Sequence, residues 1–130
     1  MHNNKHFSYK PSDGSGNYNV SFGDNVKSLS LYIKSVIQNY KSPIFIVDNN
    51  LPKDFIKIVE EIISFPALNI VFIDPEQKTI DRIQQIWDKM VKTVPDMAFI
   101  IGGGTTCDLG GFACSTYQRG ILEYYFQLLY

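Results

Sequence analysis

Residues 100–121 read Ile-Ile-Gly-Gly-Gly-Thr-Thr-Cys-Asp-Leu-Gly-Gly-Phe-Ala-Cys-Ser-Thr-Tyr-Gln-Arg-Gly-Ile, and this stretch decides the fold. The apolar run Met97–Ile101 at its start has the length and composition of a short buried strand. Gly102, Gly103 and Gly104 follow, and a helix can run from Thr105 to Tyr117. Without Cβ atoms, glycines accept positive φ and let a bulky anion approach the backbone amides. The free N–H groups and positive dipole end of the helix start favour a phosphate at that point. A glycine turn between strand and helix is therefore a candidate pyrophosphate seat, whereas a lone Gly-Gly-Gly is only a tight turn.

Upstream, strand and helix patterns alternate. Residues 1–16, with Pro11, Asp13, Gly14, Ser15 and Gly16, read as a flexible leader. Tyr18, Val20 and Phe22 alternate with polar neighbours as in a strand. From Asn25 to Tyr40, apolar residues recur at helical spacing, and Ile44–Val47 is a continuous run suited to a strand covered on both faces. Pro52 fits the first turn of a helix whose stripe is Phe55, Ile58, Val59, Ile62 and Ile63. Leu68–Ile73 reads as a further strand. Ile80, Ile83, Ile86, Trp87, Met90 and Val91 mark the next helix, with Pro95 before the strand ending at Ile101. Short links between such elements predict an α/β, Rossmann-like fold, a mainly parallel sheet with helices on both faces. Ligands of these sheets bind beyond the strand C-termini, where Asp48, Glu76 and Gly102–Gly104 fall.

Composition narrows the function. The 130 residues, 45% hydrophobic and 19% charged, suit one folded domain. A net charge of −1 gives no electrostatic reason to expect nucleic acid or an anionic membrane surface as partner. No apolar stretch approaches membrane-spanning length, and the polar start Met1–Lys5 is no signal peptide, so a cytoplasmic protein is expected. Cys107 and Cys114 lie two helical turns apart, too far for a disulfide, and form no Cys-x-x-Cys metal pair.

Gly102-Gly103-Gly104-x-x-x-Asp108, then Gly111-Phe112-Ala113, then Arg119-Gly120-Ile121, together resemble the signature of the 3-dehydroquinate synthases and related sugar-phosphate cyclases. Val47–Asn50 and Asp74–Lys78 extend the likeness upstream more weakly. The resemblance implies the NAD-binding N-terminal domain of a phosphate-eliminating, ring-closing lyase of the shikimate pathway type. It implies Asp48 and Asn50 at the cofactor's adenosine end, Glu76 with Lys78 at the ribose, and Gly102–Gly104, Thr105 and Thr106 at the pyrophosphate. It further implies that Asp108 helps hold the nicotinamide cofactor and that Arg119 reaches a substrate phosphate of the neighbouring subunit in a homodimer. Each has a plainer reading. Asp48–Asn50 is good turn chemistry, Glu76 and Lys78 are a solvated pair, and the threonines are caps. Asp108 compensates the dipole of the first helical turn, and Arg119 complements its other end. The family mostly has Glu-x-x-Lys where this chain has Glu76-Gln77-Lys78. Gly110 and Gly111 inside a helix cost about 1 kcal/mol each against Ala, which points to close packing on backbone or cofactor.

After Ile121 the resemblance ends. The cyclases continue into Pro-Thr-Thr-Leu-Leu and a helical C-terminal domain with the ligands for zinc or another divalent metal; Leu122–Tyr130 is instead a hydrophobic string. Domain limits of 1–16, 17–121 and 122–130 follow, with catalytic and metal-ligating residues expected to be absent. Glu123–Tyr130 permits codons whose third-base frame spells Ile-Leu-Phe-Pro-Thr-Thr-Leu, so a shifted reading frame is one expectation and a genuine shortened chain the other. Either way, the string is expected to lie on the surface, pair with another chain's edge or stay unfolded. Two further readings stand beside the cyclase: a non-catalytic nucleotide-binding or interaction module, and a fragment of an NAD-dependent polyol dehydrogenase. Gly111-Phe112 and Arg119-Gly120-Ile121 speak against the latter.

Overall fold

The computed structural model describes residues 5–9, 18–22, 26–53, 56–57, 60, 69–74, 76, 80–117 and 121–127. Apolar alternation along the strands places the core on both faces of one sheet. Strands β3 (Pro43–Asp48), β4 (Ile70–Ile73), β5 (Met97–Gly102) and β6 (Leu122–Gln127) are all parallel, in the order β4-β3-β5-β6. Ile44, Ile46, Ala98 and Ile100 face α2 (Ile80–Thr93) and α3 (Gly104–Thr116), which supply Ile83, Ile86, Met90, Leu109 and Ala113. Phe45, Val47, Phe99 and Ile101 face the other way, against Ile33 and Val36 of α1 (Val26–Ile37). Full burial of each such side chain is worth about 1.5–3 kcal/mol, which is why these runs are strands covered on both faces. The expected α/β, Rossmann-like fold is the observed one.

Three readings change. Lys5–Tyr9, taken as leader, forms β1 and pairs antiparallel with β2 (Tyr18–Phe22), Phe7 opposite Val20 and Tyr9 opposite Tyr18. The apolar residues Phe7 and Tyr9 at period two carried that signal; the turn residues behind them masked it. The helix expected to reach Tyr40 ends at Ile37, where turn bonds from Asn39 N–H to the Val36 carbonyl and from Tyr40 N–H to the Ile37 carbonyl take over. Leu122–Gln127 is neither loose nor paired elsewhere: it is β6, in register on β5 from Met97–Leu122 to Gly102–Gln127. Phe45, Phe99 and Tyr124 stack across β3, β5 and β6 with ring centroids 5.0 and 5.4 Å apart. Tyr32 meets Tyr124 and Phe126 edge-on. Such pairs add about 0.5–1.5 kcal/mol each beyond area burial. Of the helix expected after Pro52, the first turn is described, Ile56 N–H donating to the Pro52 carbonyl at 3.1 Å. Phe55, Ile58, Val59, Ile62 and Ile63 lie outside the described residues.

Candidate functional site

The strand order reverses between β3 and β5: the chain leaves β3 for β4 on one side and returns to β5 on the other. Loops leaving these two strands diverge, and the crevice between them is where open parallel sheets bind ligands. Val47 pairs with Ile101 across β3 and β5, so Asp48 and Gly102 close the pair at its C-terminal end.

Contact there is intimate. A Cβ on Gly102 would stand 2.8 Å from Asp48 Cβ and 2.8 Å from Thr106 Cβ. Only glycine lets these three residues meet. Gly102 uses the conformational freedom expected of the glycines, with a positive φ of 159° that side-chain-bearing residues rarely adopt, whereas Gly103 is ordinary extended backbone with φ −79° and ψ −174°. Gly103 is the N-cap of α3 with no side-chain cap, and Cys107 N–H donates to its carbonyl at 3.0 Å. The amides of Gly104, Thr105 and Thr106 precede the first intrahelical bond and have no helical acceptor.

Asp48 is only 1% exposed, and its Oδ1 accepts the Asn50 N–H at 2.8 Å. Asn49 N–H donates to the Ile73 carbonyl at 2.8 Å, tying this turn to β4. Thr106 is 0% exposed, and its Oγ1 has no hydrogen-bond partner among the described residues. Thr105 is half-buried and Gly104 exposed. Glu76 is exposed in the turn beyond β4, its N–H donating to Asp74 Oδ1 at 3.0 Å. Asp108 is exposed and lies in the second turn of α3, since the helix starts at Gly104; the first turn carries no acidic residue. Lys78 and Arg119 lie outside the described residues.

The structure thus brings Asp48, Gly102 and Thr106 together, with Asn50 bound to Asp48 at the crevice edge. Gly110 and Gly111 pack closely, as expected, and the nearest protein atoms are side chains, of Ile100 and Tyr125, rather than backbone. Trp87 lies against the core, its Nε1–H directed at the Ala113 carbonyl and Thr116 Oγ1, both at 3.2 Å. Cys107 and Cys114 are free and buried. Burial pushes their thiols up to about 11 and about 12, so both stay neutral at physiological pH. Among the described residues no helix is long and apolar enough to cross a membrane.

Over residues 69–126 the chain matches the family model described as 3-dehydroquinate synthase N-terminal, a match that continues past Ile121 through most of β6. A 3-dehydroquinate synthase of Pelagibacter ubique is 26% identical over 118 residues, which are 86% of this chain and 32% of that protein. One from Pyrococcus abyssi is 39% identical over 70 residues, covering 51% and 21% respectively. The chain spans about a third of the first of these relatives and less of the second. Among solved structures, 2-deoxy-scyllo-inosose synthase complexed with carbaglucose-6-phosphate, NAD+ and Co2+ matches with a TM-score of 0.69 at 18% identity, over 96% of this chain and 35% of that one. At that identity the likeness speaks for the fold. Fold, family model and relatives agree: over residues 69–126 the chain is similar to the N-terminal part of the 3-dehydroquinate synthases.

Proposed function

We propose that this chain is the NAD-binding part of a sugar-phosphate cyclase of the 3-dehydroquinate synthase type. One observation carries the reading: Asp48, Gly102 and Thr106 meet at the switch point, and Thr106 keeps a buried hydroxyl there without a partner among the described residues. Such an orphan costs about 1–3 kcal/mol, and a ligand group reaching it would offset that cost. The residues present fit a dinucleotide. The amides of Gly103, Gly104, Thr105 and Thr106 at the start of α3 suit the pyrophosphate. Asp48 and Asn50 flank the adenosine end, Glu76 with Lys78 suits the ribose hydroxyls, and Asp108 helps hold the nicotinamide cofactor. Bound there, NAD would supply reversible acceptance of a hydride from the carbon that bears a substrate hydroxyl. In the same reading Arg119 serves a substrate phosphate across a homodimer. The NAD+ of the 2-deoxy-scyllo-inosose synthase structure supports the cofactor's identity.

Among the described residues no three His, Cys, Asp or Glu side chains come together to hold a metal. The proposal gives it cofactor binding without turnover of a sugar phosphate on its own. Calorimetric titration with NAD tests the reading. Gly104 is exposed, so Gly104→Val should leave the circular dichroism unchanged while weakening NAD binding by at least about tenfold, ~1.4 kcal/mol. Undiminished affinity in that variant, or no binding by the unaltered chain, removes the proposal.

A further inference from the structure

Adjacent glycines in mid-helix are disfavoured by propensity, and Gly110 and Gly111 of α3 have different neighbours on the sheet. A Cβ on Gly110 would stand 2.9 Å from Ile100 Cγ2 on β5, and one on Gly111 would stand 2.5 Å from the Tyr125 hydroxyl on β6. Together with Gly102 against Thr106, these make three points where α3 and the sheet leave no room for a methyl group. Two of the points lie over β5 and define a line. The third lies off that line, over β6, and fixes the roll of the helix about it.

The third point is the tip of a side chain that is 47% exposed. Tyr125 Oη donates to Glu123 Oε2, and this bond is what keeps the hydroxyl over Gly111. Cys114 and Cys107 of α3 lie near this pair. Burial raises the Glu123 carboxyl above its usual range and raises the Tyr125 phenol as well. We propose that Tyr125, held by Glu123, is a positioning residue for the glycine loop: by stopping α3 at Gly111 it sets where the Gly103–Thr106 amides lie. The role in cofactor binding rests on the NAD reading above. The strand Leu122–Gln127 thereby becomes part of the site's support.

Gly111→Ala, Tyr125→Phe and the double variant, each in the full 130-residue chain, test this by two readouts. One is calorimetry with NAD; the other is the NMR positions of the Gly103 and Gly104 amides, which need no cofactor. Gly111→Ala should shift both amides and weaken NAD about tenfold, since small misplacements are costly at a built site. Tyr125→Phe removes the one atom in the way, so the double variant should return the amides to their places and the affinity to within about threefold. A Gly111→Ala chain that fails to fold while the double variant folds is the same rescue. Unmoved amides in Gly111→Ala, or a double variant that stays displaced or unfolded, overturns the proposal. Should the unaltered chain not bind NAD, the cofactor reading falls and the amide shifts alone decide the positioning role.

Discussion

At the N-terminal end of the β3–β5 pair, the Asp96 carboxylate accepts the N–H groups of Lys41 and Ser42 at 2.8 and 3.0 Å. Asp96 N–H donates to the Ser42 carbonyl at 3.1 Å, and Ser42 Oγ to the Thr93 carbonyl at 2.9 Å. At the C-terminal end of the same two strands, α3 starts without a side-chain cap and Thr106 Oγ1 is buried without a partner among the described residues. One end directs its polar groups at the fold. The other leaves amides and a hydroxyl uncommitted where the strand order reverses. Buried polar groups are normally satisfied, and the unsatisfied end is the one to which the proposal assigns the ligand.

The largest test strikes the open end. Gly102→Ala forces a methyl group between Asp48 and Thr106, which lie close to their own backbones. It should lower stability by about 2–3 kcal/mol in urea unfolding and abolish NAD binding. Unchanged stability would mean that the three residues do not meet as described. Next comes the closed end. Asp96→Ala removes two charge-assisted bonds from an exposed carboxylate, for a loss of about 1–2 kcal/mol. NAD affinity should hold, and a parallel fall in affinity would break the contrast between the ends. The smallest effect has the opposite sign. Thr106→Val replaces an orphan hydroxyl by a methyl group of similar size, so the cofactor-free chain should gain about 1 kcal/mol while NAD affinity drops. A stability loss instead would reveal a partner for that hydroxyl.

Periodicity made much of this legible. Ile44–Val47 and Met97–Ile101 are runs that only a strand covered on both faces can bury, and the stripe through Ile83, Ile86 and Met90 admits only a helix. Strand alternation with short links then places Asp48 and Gly102 at one edge. That Gly110 and Gly111 pack closely was legible; what they and Gly102 pack against was not, because the atoms a missing Cβ would meet are set by residues distant in sequence. The satisfaction of Thr106 Oγ1 is likewise a three-dimensional property. β6 was misread for another reason. Measured against a family motif, Leu122–Gln127 is foreign, yet Leu122, Tyr124 and Phe126 alternate with Glu123, Tyr125 and Gln127 as any edge strand does.

The stacked column of Phe45, Phe99 and Tyr124 also sets an order in time. A ribosome adding about 5–20 residues per second delivers Phe45 and Phe99 well before Tyr124, and a parallel partner for β5 cannot form until α3 has been made and has crossed back. For that interval, on the order of seconds, one flank of Phe99 stays unroofed. The nascent chain therefore carries an adhesive aromatic surface that β6 itself removes, and a stall in translation between α3 and β6 would prolong its exposure to chaperones and to other chains.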